Sequence, residues 1–170
     1  MGEEQKAYNV VEMAPKFEVI EIKNPRWLGY IAPHINTFYE KTKAQLPTIT
    51  YETLYAYFEQ SISMATAPSE FWVAKRGDEI LAFAHWFKCG LPHTGVVFMD
   101  FIHSWNRMRE PVQMLFDKYG DFGKRQRCTV YKGTAVNEAV FRVFRKAASR
   151  RGYKLDRTPL IDFIGRKENG

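Results

Sequence analysis

Apolar residues recur along this chain with two different periods, and each change of period marks an element. Residues 16–23 (KFEVIEIK) set Phe17, Val19 and Glu21 against Glu18, Ile20 and Ile22, and the β-branched content predicts a strand. Asn24 and Pro25 form a helix start, with Asn as N-cap and Pro in the first helical position. Trp27, Leu28, Ile31, Ile35 and Phe38 then follow helical spacing toward Lys43, and Pro33 is expected to kink or split that run. Thr50 caps a second helix over 51–64, with Leu54, Tyr55, Phe58 and Ile62 on one face.

Strand signals come next. FWVAKR (71–76), the Gly77-Asp78 turn and ILAFAHWFK (80–88) form a hairpin, and VVFMDFIH (96–103) is a third strand after a turn containing Gly90, Pro92 and Gly95. A helix is expected over 111–119 on Val112, Leu115 and Phe116, ended by Gly120 to Gly123. RCTVY (127–131) reads as a short strand. Residues 135–151 form a helix with Val136, Val140, Val143, Phe144 and Ala147 on one face and Gly152 as its C-cap. Two last strands are expected over 153–155 and 160–164.

Composition narrows the class. Of 170 residues, 45% are hydrophobic and 15% aromatic, enough ring surface for a sizeable core and too much for a disordered chain. No apolar run approaches the roughly 20 residues of a membrane span. The acidic, polar start gives no reason to expect a secretory leader, and Gly2 lacks the Ser or Thr of a myristoylation signal. Cys89 and Cys128 have neither CxxC nor zinc spacing, which leads to an expectation of two reduced thiols in a cytoplasmic protein and no metal site. The net charge of +6 is concentrated in 124–157, where eleven Lys and Arg face only Glu138 and Asp156. Such a segment suits a solvated helix face or a site for polyanions, either coenzyme A phosphates or nucleic acid.

The order β-α-α-β-β-β-α-β-α-β-β over residues 17–166 resembles the GNAT fold, that of the Gcn5-related N-acetyltransferases. The hairpin FWVAKRGDEILAFAHW, the long strand VVFMDFIH followed by a helix, and a short strand leading to a helix that ends Arg151-Gly152-Tyr153 carry the likeness. It implies an α+β class, a mixed and mainly antiparallel sheet flanked by helices in one domain, with residues 1–16 an N-terminal extension and 167–170 a tail. It implies transfer of an acetyl or acyl group from acetyl-CoA or another acyl-CoA to a small-molecule or protein amine, without a membrane partner. The oligomeric state stays open.

The resemblance places coenzyme A on the end of the 96–103 strand and the loop after it, and so implicates Ile102, Ser104, Arg107 and Arg109. The family's loop there is glycine-rich, so that backbone N–H groups surround the pyrophosphate. HSWNRMREP (103–111) has no glycine, Pro111 removes a donor, and Arg107 and Arg109 are the side chains able to substitute. The family's tyrosine acid on the last helix is replaced by Phe141 and Phe144, which leaves Tyr131 as the nearest phenol. These departures favour an alternative, a non-catalytic GNAT-like binding protein of the kind some viruses encode, with nucleic acid or another polyanion as partner.

Asp100 lies among Val97, Phe98, Met99, Phe101 and Ile102, where a carboxylate must be paired or have its pKa raised, and it is the candidate base. His103, three residues on, faces the opposite side by strand alternation unless a bulge intervenes, and GNAT proteins commonly carry one there. His85 reads as a core histidine with one backbone hydrogen bond. His34 and His93 read as helix-surface and turn residues.

Overall fold

The computed structural model describes residues 16–44, 48–63, 68–89, 95–104, 109–133, 138–152 and 154. The chain divides into two compact units, Met1–Thr134 and Ala135–Gly170. The first unit carries a five-stranded sheet in sequence order: β1 (Phe17–Glu21), β2 (Ser69–Arg76), β3 (Glu79–Lys88), β4 (Val96–Ser104) and β5 (Val130–Gly133). The first four strands pair antiparallel, and β5 joins β4 in parallel.

Helices cover both faces. On one, α1 (Leu28–Thr42) and α2 (Tyr51–Ser63) bury Leu28, Ile31, Ile35, Phe38, Leu54 and Phe58 against Phe71, Val73 and Phe83. On the other, α3 (Arg109–Arg125) packs Leu115, Tyr119 and Phe122 against Trp72, Ala74, Ala82, Ala84 and Trp86. The three alanines let the helix come close, and the two tryptophans flank it. Both indole N–H groups donate to Glu70 Oε2, at 2.8 and 3.3 Å, and the other Glu70 oxygen accepts from Arg125 of α3.

The predicted caps form. Asn24 accepts from the Arg26 N–H at 3.0 Å, opening a 3-10 turn (Pro25–Trp27) ahead of α1, and Thr50 Oγ1 accepts from the Thr53 N–H at 3.2 Å. Three expectations need correction. Pro33 does not split α1, because its missing bond belongs to the carbonyl of exposed Gly29, which water can satisfy. Gly120 and Gly123 do not end the third helix, which runs on to Arg125. A Cβ at Gly123 would lie 2.4 Å from the Tyr131 ring, so this glycine is a close-approach position inside a helix. The strand expected at 127–131 begins three residues later, because Arg127 sits at φ 54° and holds the chain in a turn.

The second unit contains α4 (Glu138–Arg150), which buries Phe144 and Ala147 and ends at Gly152 with φ 77°. Val143, expected on the buried face, is 43% exposed. Val136, His93, Arg107 and the expected strands over 153–155 and 160–164 fall outside the described residues, Lys154 apart. No helix among the described residues is long and apolar enough to cross a membrane.

Candidate functional site

The chemistry gathers where β4 breaks its own alternation. His85 pairs with Phe101 and Trp86 with Met99, so Asp100 is the extra residue of a bulge. Before it, Val97 and Met99 face α3. After it, Ile102 faces α3, while Phe101 packs in the core beneath α1 and α2. The slip brings Asp100 and Phe101 to the same side, and His103 with them, its ring 5.2 Å from Phe38 and 6.1 Å from Phe83.

There Asp100 is fully engaged. Tyr57 of α2 donates its hydroxyl to Oδ2 at 2.6 Å. His85 Nδ1 lies 2.8 Å from Oδ1 and 2.9 Å from Oδ2, and the Phe101 N–H donates to Oδ1 at 3.0 Å. The partner of His85 is therefore a carboxylate and not the backbone group expected from sequence. His85 is 1% exposed and its Nε2 has no hydrogen-bond partner among the described residues. The Asp100 side chain is 12% exposed and Tyr57 is 37% exposed, so the cluster opens outward at these two residues. Burial first, then the Asp100 charge, pushes the Tyr57 phenol far above its usual range and keeps it a donor.

The other implicated residues are spread more widely. Burial, with Lys41 and then His34 adding positive charge, lowers His103 to about 4, so its imidazole is neutral near pH 7. Tyr131 lies on the opposite side of the sheet, with its hydroxyl donating to the Gly120 carbonyl at 3.3 Å and its ring edge-on to Tyr119. Tyr131 and Asp100 are therefore not brought together. The Ile102 side chain joins the α3-side core, Ser104 ends β4 opposite Ala82, and Arg109 opens α3 exposed to solvent. Burial raises the Cys128 thiol, and both cysteines are free. No group of three His, Cys, Asp or Glu among the described residues is placed to hold a metal ion.

The seam between β4 and β5 is short. The parallel register runs from Val96↔Val130 to Met99↔Gly133, and β4 continues alone for five more residues, Asp100 to Ser104, paired among the described residues only to β3. Tyr119 sits at this seam. Its hydroxyl lies 3.0 Å from the Val97 carbonyl and 2.7 Å from the Lys132 carbonyl, one from each strand.

Sequence reasoning found Asp100 but missed Tyr57 and undervalued His85. The available signal was a histidine in an otherwise apolar strand and an aromatic at the edge of the apolar stripe of α2.

No protein-family model matches the sequence, and neither does any curated protein sequence. Solved structures do match. An aminoglycoside N-acetyltransferase, AAC(6')-Iy, in complex with CoA superposes with a TM-score of 0.64 at 16% identity, covering 94% of this chain and 100% of that one. The same enzyme with a bisubstrate analogue, CoA-S-monomethyl-acetylneamine, gives 0.63 at 15%, covering 89% and 99%. A ribosomal-protein-alanine N-acetyltransferase from Brucella melitensis biovar Abortus 2308 gives 0.59 at 13%, covering 89% and 100%. The protein has the GNAT, or acyl-CoA N-acyltransferase, fold, an α+β architecture with a mixed, mostly antiparallel sheet flanked by helices.

Proposed function

We propose that the protein is an acyl-CoA-dependent N-acyltransferase that moves an acetyl or other acyl group to a small-molecule or protein amine. The observation that carries this reading is the bulge carboxylate Asp100 beside a β4 edge that β5 leaves after Met99. In a fold shared with CoA-bound acetyltransferases, that edge suits a thioester arm. A strand edge past its last partner offers backbone N–H and C=O groups to the amides of such an arm. Arg109, with Arg107 and Ser104 near it in sequence, supplies polar and cationic groups for the phosphates without the usual glycines. Cytoplasm is the compartment this reading implies, since CoA thioesters and reduced thiols are both found there.

The reaction needs one base. An acceptor ammonium gives a proton to Asp100, and the free amine attacks the thioester carbonyl. The tetrahedral adduct expels the thiolate, which takes a second proton from the former ammonium. Amide and CoA–SH result, and Asp100 returns its proton to solvent. A backbone N–H of β4 aimed at the carbonyl oxygen stabilises the developing charge. Neutral His103 lies on the same face and lines the approach without competing for the ammonium's charge.

The test is calorimetry with acetyl-CoA, followed by CoA release over a panel of primary amines. Asp100→Asn is expected to lower kcat/KM by roughly 10²–10⁴-fold while leaving acetyl-CoA affinity within about twofold. No heat at millimolar acetyl-CoA defeats the reading.

A second reading has support in α4, where Arg142, Arg145, Lys146 and Arg150 are all exposed. A non-catalytic role on a polyanion such as nucleic acid predicts binding that weakens steeply with salt. Anisotropy of a labelled oligonucleotide across a salt series tests it, and salt-insensitive or absent binding removes it.

A further inference from the structure

Resting on the reading of Asp100 as proton acceptor, we propose that Tyr57 and His85 are positioning residues that fix the Asp100 carboxylate for the acceptor ammonium. A carboxylate accepts along about four lone-pair directions. Three donors reach them: the Tyr57 hydroxyl on Oδ2 at 2.6 Å, the Phe101 N–H on Oδ1 at 3.0 Å, and His85 Nδ1 between the two oxygens at 2.8 and 2.9 Å. The carboxylate is 12% exposed beside the half-open Tyr57, and an external amine reaches it from that side. No Lys or Arg among the described residues pairs with Asp100, so the acceptor ammonium would be its cationic partner.

The two donors come from different elements, Tyr57 from α2 and His85 from β3, and among the described residues these are the titratable side chains bonded to the carboxylate. His85 cannot swing away. Its ring is wedged among Tyr57, Phe58 and Phe71, with centroids 5.5, 5.8 and 6.2 Å away. The nitrogen facing a carboxylate carries the hydrogen, so His85 is the Nδ1–H tautomer. That leaves Nε2 bare, in agreement with its burial without a partner among the described residues. The opposite tautomer would bury an N–H with no acceptor and turn a lone pair on the carboxylate, two penalties at once. The fixed ring sets the carboxylate's orientation from below, and Tyr57 sets it from the exposed side.

The experiment combines imidazole nitrogen NMR with pH–rate profiles of His85→Leu, His85→Asn and Tyr57→Phe. In the wild type, His85 is expected to show a protonated Nδ1 and an unprotonated Nε2. Removing a donor from a carboxylate makes it more basic. Tyr57→Phe and His85→Leu should therefore move the acid limb of kcat/KM up by roughly 0.5–1 pH unit and lower the plateau about tenfold. Acetyl-CoA affinity should stay the same. His85→Asn carries an amide N–H near the Nδ1 position and should recover much of the loss. Tyr57→Phe changes a partly exposed side chain, so it folds even if His85→Leu does not. An Nε2–H tautomer, or an acid limb that moves in neither variant, overturns the proposal. If the wild type acylates no amine, the acyl-transfer reading falls instead, and the nitrogen spectrum of Asp100→Ala, which has no side-chain acceptor, decides the geometry alone. Loss of the Nδ1–H signature there supports the contact, and an unchanged signature overturns it.

Discussion

The Tyr131 ring lies directly on Gly123, where an added Cβ would fall 2.4 Å from the ring edge. A strand residue and a helix glycine thus fix the spacing between α3 and β5. Gly123→Ala is expected to destabilise the protein by about 1–2 kcal/mol, because overpacking outweighs the gain in helix propensity. In a Tyr131→Ala background the same change should stabilise by up to about 1 kcal/mol. Urea denaturation of the four-member cycle checks both, and additive effects would contradict the contact.

Tyr119 joins the two strands of the parallel pair through its hydroxyl, and it is 6% exposed. Burial pushes its phenol far above the usual range, so it remains a donor. Tyr119→Phe keeps the ring and leaves the buried Val97 carbonyl without this partner, at about 1–2 kcal/mol. Hydrogen exchange should speed up selectively in β5, and uniform exchange across the sheet would show that the hydroxyl does not pin this seam.

His103 supplies a pH signature of folding. Its folded value is about 4, below its ordinary value near 6.5. Between these limits the unfolded chain binds a proton that the folded chain refuses, so this contribution is complete above about pH 6.5 and is lost as pH falls toward 4. His103→Gln removes the titration. The drop in urea midpoint from about pH 7 to about pH 4.5 should be smaller in that variant, and equal drops would exclude His103 as a source.

Phe58 is 0% exposed and meets the rings of Phe71, Phe83, His85 and Phe101. It ties α2 to the strands that hold the carboxylate cluster. Phe58→Ala is expected to cost about 3–5 kcal/mol, a large share of the roughly 5–15 kcal/mol that holds a domain folded. Calorimetric melting measures the loss, and a shift of only a degree or two would mean that α2 contributes little.

Much of the fold could be read from period alone. The hairpin, both N-caps and the apolar stripes of α1 and α2 follow from local rules, because each depends on neighbours within a few residues. What escaped depends on distant partners. Gly120 and Gly123 look like helix breakers until Tyr131 is brought against them. The bulge is hidden in VVFMDFIH because nearly every position is apolar and alternation has nothing to mark it. Asp100 announced itself as a lone charge in that run. Its partners Tyr57 and His85 stand 43 and 15 residues away, a pairing that only the folded sheet supplies.

The extra residue at Asp100 makes β4 two short ladders laid end to end, half a period out of step. Deleting it would join Met99 to Phe101 in regular alternation, with both halves keeping their faces and their pairing with β3. Keeping it while flattening the bulge would instead force the downstream half to rotate through the sheet or break its pairing with β3. Anyone threading this chain onto a regular strand, or grafting the segment into another scaffold, would invert the lining of the site without changing any of its side chains.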